Sequence, residues 1–145
     1  KNAEKLKIKY LSLNEADGPV FKIKNDPRYT KFGKILSHSG LDELPQLLNI
    51  LKGEMSLVGP RPLPVEEEAL IPKKWQNKRR SARPGLFSPW TATGARHSSF
   101  EKWMKSDIDY LNKNSFSQDF FIILKTTVNL FKKQFFLLRK KSGFF

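Results

Sequence analysis

Cysteine is absent from the 145 residues. Disulfides and thiolate metal sites are therefore excluded, and the composition fits a reducing compartment. Long apolar runs are also missing. The longest, Phe120 to Leu124, has five residues, where a bilayer-spanning helix needs about 20. No signal peptide is visible, and the first residue is Lys1 rather than an initiator Met, so the sequence reads as part of a longer one. Acidic residues are scarce: 14 Asp+Glu stand against 27 Lys+Arg, a net charge of +13. A surplus of that size predicts anionic partners such as phosphates, lipid headgroups or nucleic acid. Internal repeats, low-complexity tracts and dividing linkers are lacking as well. The length suits one domain with one modest core.

The chain does have a clear pattern of elements. Lys5 to Tyr10 alternates Lys with apolar residues, a strand pattern. Asp17-Gly18-Pro19 predicts a turn, with Val20 to Ile23 pairing back as a hairpin. Thr30 to Ser37 predicts a short helix with Phe32, Ile35 and Leu36 facing inward. From Leu41 to Lys52, leucines recur at helical spacing. Pro45 is tolerable only in the first turn, and Gly53 ends the helix. Met55 to Val58 reads as a short buried strand. Glu66 to Arg80 predicts one helix, acidic at its start and basic at its end. Arg83 to Gly94 reads as a loop, and Phe100 to Leu111 as a helix. The longest predicted helix is 120–138, where Phe120, Leu124, Val128, Phe131, Phe135 and Leu138 form one stripe accompanied by Lys125, Lys132 and Lys133. Such a basic amphipathic helix suits an anionic bilayer surface. The expected fold class is α+β: a single, mostly helical domain with a small β-hairpin or short sheet and several helices at the headgroup plane. Trp75, Trp90 and Trp103 fit either core rings or interfacial anchors.

Two elements can carry chemistry. Asp42-Glu43 is an acidic pair in a basic chain, placed at a predicted helix N-terminus. Asp42 as N-cap and Glu43 as first-turn acid would contribute about 0.5–2 kcal/mol to the helix. The same positive helix end also attracts phosphate, and a carboxylate there can bind Mg²⁺ or attack phosphorus. Gly59-Pro60-Arg61-Pro62 fixes the backbone on both sides of one guanidinium, whose planar fork matches phosphate oxygens. Otherwise it is a stiff turn with a solvated Arg. His38 and His97 fit structural or phosphate-contacting roles.

Taken together, Ser39, Leu41 to Leu47, Asn49, Leu51 to Gly53 and Met55 to Pro62 resemble the bacterial sugar transferases, the monotopic polyprenyl-phosphate phosphoglycosyl transferases that initiate glycan assembly. Weaker matches extend the resemblance from about Gly18 to Leu130. It implies that the sequence is a catalytic domain over 1–145, from which the family's N-terminal re-entrant membrane helix is absent. It implies that Asp42 is the nucleophile and that Asp42 and Glu43 hold Mg²⁺. Arg61, Arg96, Arg83, Lys31 and Asp107 are then the expected phosphate- and substrate-binding residues. The implied substrates are a nucleotide sugar, usually a UDP-sugar, and polyprenyl phosphate, with the protein on the cytoplasmic face of the bacterial inner membrane and anionic lipids as its surface partner.

Three positions depart from the family pattern. Ser37-His38 stands where an Arg or Lys usually precedes the dyad, Leu86 to Gly94 replaces the usual donor loop, and the basic-aromatic motif near the start survives only as Lys9-Tyr10-Leu11. A catalytically degenerate relative, acting as a membrane- or partner-binding module, is the alternative. A nucleic-acid binder accounts for the charge but not for the dyad or the Pro-Arg-Pro turn, and no nucleic-acid motif is visible. The sequence specifies neither the sugar nor the oligomeric state.

Overall fold

The short helix Leu41 to Lys52 expected from sequence is split, because Pro45 lacks the N–H needed to join the two parts. In the computed structural model, which describes residues 3–23, 26–94 and 99–141, Leu41–Glu43 forms a 3-10 turn. Its bonds run from Glu43 N to Gly40 O and from Leu44 N to Leu41 O, both 3.2 Å. Helix α3 (Pro45–Leu51) follows with Pro45 in its first turn. Upstream lie α1 (Ala3–Lys9) and α2 (Lys31–Ser39). The Thr30 hydroxyl caps α2 by accepting from Gly33 N at 3.0 Å. Gly40 ends α2 at φ +78°, a left-handed conformation that glycine adopts freely, and turns the chain into the acidic pair.

The sheet is a parallel pair. β1 (Ser56–Val58) meets β2 (Gly85–Phe87) with Ser56 opposite Gly85 and Val58 opposite Phe87. Parallel strands need a crossover, and two short helices supply it: α4 (Val65–Ala69) and α5 (Lys73–Arg79). The single helix expected over Glu66 to Arg80 is therefore broken, with Pro72 opening the second piece. After β2, α6 (Pro89–Thr93) is held by a reciprocal cap. Ser88 Oγ accepts from Thr91 N, and Thr91 Oγ1 accepts from Ser88 N, both at 3.1 Å. The expected loop over Arg83 to Gly94 is thus a strand and a helix. α7 (Phe100–Lys113) and α8 (Phe116–Lys141) complete the domain.

Two buried clusters form the interior. Val58, Ala92, Tyr110 and Ile122 join β1, α6, α7 and α8, while Ile71, Trp103 and Met104 gather Trp75, Trp90 and Phe100 around them. The tryptophans are thus core rings, and Trp90 and Trp103 stack with centroids 5.7 Å apart. Met104 is wholly buried. Met104→Ala is expected to destabilise the fold by about 2–5 kcal/mol, read as a lower denaturant midpoint with an unchanged slope. The fold is α+β and mostly helical, as the sequence indicates.

Several local expectations are overturned. Lys5 to Tyr10 lies largely in α1, not in a strand, because the alternation is too short to compete with helix-forming Ala, Glu, Lys and Leu. Val20 to Ile23 forms no hairpin. Its segment is tied instead by Glu15 N to Lys22 O at 2.8 Å and by the Asn14 side chain. Phe32 and Ile35 point outward rather than into the core. On α8, Ile122 and Thr126 are buried, while the stripe Phe120, Leu124, Val128, Phe131 and Phe135 stays exposed. The side chain of Leu138 lies outside the described residues.

Candidate active site

The site begins at the Gly40 turn. The 3-10 geometry presents Asp42 as an exposed side chain and Glu43 as a partly buried one. Neither carboxylate caps α3, whose N-cap position is Leu44 with no side-chain bond. The capping role considered for Asp42 is therefore not used.

The Pro-Arg-Pro turn approaches from β1. Its main chain is fixed by Gly59 N donating to Phe87 O at 3.0 Å, by Gly85 N donating to Pro60 O at 2.9 Å, and by Arg79 Nη2 donating to Arg61 O at 2.7 Å. From that frame Arg61 Nη2 reaches Glu43 Oε1 at 3.7 Å. The two motifs, 18 residues apart in sequence (61 − 43), are in contact. Because both side chains are over a third exposed, at 38% and 35%, the pair contributes little stability. It leaves both groups able to turn toward a ligand.

The remaining expected residues are dispersed. Arg83 is exposed just before β2, near the end of α3, where a Cβ on Gly53 would lie 3.9 Å from its Nη1. Lys31 is exposed at the start of α2. Arg96 and His97 lie outside the described residues, as does the side chain of His38. Asp107 differs most from expectation. It is fully buried and ion-paired to Arg79, so its Oδ2 is engaged by a buried cation rather than turned to a ligand. Burial draws Arg79 below the usual guanidinium value, and the nearby Glu68 charge opposes that shift. Sequence reasoning missed Arg79 because a basic residue near a helix C-terminus is usually solvated. The signal available was its spacing of three from Gln76, which is buried on the same helix.

Among the described residues no group of three or more His, Asp or Glu side chains comes together. Mg²⁺ needs only one or two carboxylates when substrate phosphates and water complete its octahedron. Adjacent, accessible Asp42 and Glu43 fit that donor set.

Comparison with known sequences bears on the arrangement directly, since the profile of the bacterial sugar transferases matches residues 2–133. The chain belongs to the bacterial sugar transferase family. Among curated members of that family it is 40% identical over 126 residues to the galactosyl transferase CpsE of Streptococcus agalactiae, covering 86% of this chain and 28% of that protein. It is 38% identical over 136 residues to the UDP-glucose:undecaprenyl-phosphate glucose-1-phosphate transferase of Caulobacter vibrioides, covering 86% of this chain and 50% of that protein. With the undecaprenyl-phosphate galactose phosphotransferase of Salmonella typhimurium it shares 39% identity over 106 residues, 73% of this chain and 22% of that one. The chain thus spans half or less of the length of these sugar transferases.

Proposed function

We propose that the protein transfers a sugar-1-phosphate from a nucleotide diphosphate sugar, a UDP-sugar, to polyprenyl phosphate, the first committed step of a lipid-linked glycan or exopolysaccharide. The observation that carries the reading is the Glu43–Arg61 contact at 3.7 Å, which brings a rigidly framed guanidinium to the residue next to the exposed Asp42. Relatives named for UDP-glucose and undecaprenyl phosphate support it.

In this reading an Asp42 carboxylate oxygen attacks the β-phosphorus. A new P–O bond forms to Asp42 while the bond to the bridging oxygen breaks, and UMP departs. An oxygen of polyprenyl phosphate then attacks the same phosphorus, displacing the Asp42 carboxylate and giving polyprenyl-diphospho-sugar. Splitting the transfer lets one small site accept a soluble donor and a lipid acceptor in turn. Arg61 offers two parallel donors to phosphate oxygens, and its turn, held by two main-chain bonds and one from the Arg79 side chain, reduces reorganisation as charge develops. Arg83, Lys31 and Arg96 would add positive charge around the two phosphates. Asp42 and Glu43 would hold Mg²⁺, which supplies charge neutralisation when bound.

The setting is an anionic membrane surface, on the cytoplasmic face of the bacterial inner membrane. Exposed apolar side chains line α2, the 3-10 turn and α3: Phe32, Ile35, Leu41, Leu44, Leu48 and Leu51, the last 84% exposed. Exposed apolar side chains grouped on neighbouring elements in this way suit an interaction surface. With the α8 stripe and a net charge of +13, they suit insertion at headgroup depth. No helix among the described residues is long and apolar enough to cross a membrane. Flotation with vesicles containing phosphatidylglycerol is expected to recover most of the protein at low salt. Raising salt to about 0.5 M should weaken that binding several-fold without abolishing it. Equal binding to neutral vesicles would exclude the electrostatic part.

UMP release measured across a panel of UDP-sugars tests the chemistry, with mass spectrometry of a phosphosugar adduct on Asp42. An adduct supports the transferase. Its absence with every sugar nucleotide, in protein reconstituted with polyprenyl phosphate, would leave a non-catalytic membrane-binding relative.

A further inference from the structure

Asp107 and Arg79 form a buried charge pair to which the proposed chemistry assigns no direct step. Arg79 is 5% exposed and Asp107 0%. Burying two charges is costly unless their geometry and hydrogen bonds compensate, and a hydrophobic pair of similar volume often serves stability as well or better. The arrangement around Arg79 is specific. Its Nη1 pairs with Asp107 Oδ2 on α7, and its Nε lies 3.6 Å from Glu68 Oε2 on α4. Its Nη2 donates to Arg61 O at 2.7 Å.

That last bond falls where the turn has least other support. The two hydrogen bonds from β2 hold Gly59 and Pro60. Past Arg61 the next residue is Pro62, which has no N–H to donate. Among the contacts described, Arg79 is what holds the Arg61 carbonyl.

We propose that Arg79 is a positioning residue for Arg61, oriented by Asp107 and Glu68, so that Asp107 acts on the site through Arg79 rather than by touching phosphate. The proposal rests on the transferase reading of the site. A lysine at 79 would not reproduce the arrangement, because one ammonium lacks the planar fork that bonds Asp107 and the Arg61 carbonyl together while its charge lies beside Glu68.

The decisive experiment is a double-mutant cycle of Arg79→Lys with Arg61→Ala, measured as kcat and KM for UMP release from the UDP-sugar that wild type prefers. Arg79→Lys alone is expected to lower kcat by about 100-fold, with KM changed less than about threefold, as misplacement of a catalytic group by about 1 Å does. In the Arg61→Ala background the same change should cost less than about threefold more. Multiplying losses, or wild-type kcat in Arg79→Lys, would overturn the proposal. If Arg79→Lys does not fold, Glu68→Gln, which loosens the Nε contact and a second pairing with the exposed Arg80 at 3.9 Å, takes its place with a smaller loss of about fivefold and the same non-additivity. Spectra of ¹⁵N-arginine-labelled protein separate this proposal from the transferase reading. Should wild type release no UMP at all, the transferase reading fails. A shift of the Arg61 Nε–Hε resonance in Arg79→Lys or Glu68→Gln would still support the positioning contact, and an unmoved resonance would refute it.

Discussion

Asp42→Asn is expected to eliminate the phosphosugar adduct and to lower UMP release by at least about a thousand-fold, equivalent to ~4 kcal/mol of barrier. The amide matches the carboxylate in shape and Asp42 is exposed in its 3-10 turn, so the fold should be untouched. The Glu43–Arg61 contact does not involve Asp42 and should remain. Only the attacking oxygen is lost. Activity within tenfold of wild type would remove Asp42 as nucleophile, and a direct attack of polyprenyl phosphate on the donor would take its place. Thermal unfolding of the variant serves as the control.

Gly85→Ala is expected to be strongly destabilising for one added methyl group, since its Cβ would make the closest contact among the described glycines. A Cβ built at Gly85 would lie 2.0 Å from Gly59 N and 2.6 Å from Val58 C, both backbone atoms that no rotamer can move aside. Relief requires β2 to separate from β1, which breaks the Gly85 N to Pro60 O bond at the head of the Pro-Arg-Pro turn. Overpacking usually costs about 1–3 kcal/mol; a clash with the main chain of Val58 and Gly59 should reach the top of that range or exceed it. Chemical denaturation would measure the loss. In whatever folded fraction persists, UMP release should fall further than stability alone explains, because Arg61 is displaced along with the strand. A variant with unchanged midpoint would mean that the strands can slide apart freely.

The sequence made the chemistry legible and concealed much of its setting. Asp42-Glu43 and Arg61 stand out because acidic residues are rare in this chain and because two prolines bracket one arginine, signals that need no tertiary context. Helices α7 and α8 were legible from periodicity, as was β1 from its short apolar run. The parallel pairing of β1 with β2 was not, since three-residue strands carry almost no pattern and their register depends on Gly59 and Gly85 approaching through space. Periodicity also shows that a helix has an apolar face but not what lies against it. Phe32, Ile35 and the α8 stripe were recognisable as faces, yet they point away from the interior. Asp107 and Arg79 were the hardest to read, because charged residues on amphipathic helices are solvated by default, and only the packing of α5 on α7 buries them together.

The stacked indoles of Trp90 and Trp103 have a use beyond packing. Their ring planes are nearly parallel, with an angle of 10° between them. Transitions on two such chromophores couple, so the pair should carry a circular-dichroism signature that neither ring has alone. Trp90 belongs to α6, which follows directly on β2, while Trp103 belongs to α7. The molecule therefore contains its own optical gauge of whether α6 is seated on α7, readable without substrate, label or turnover.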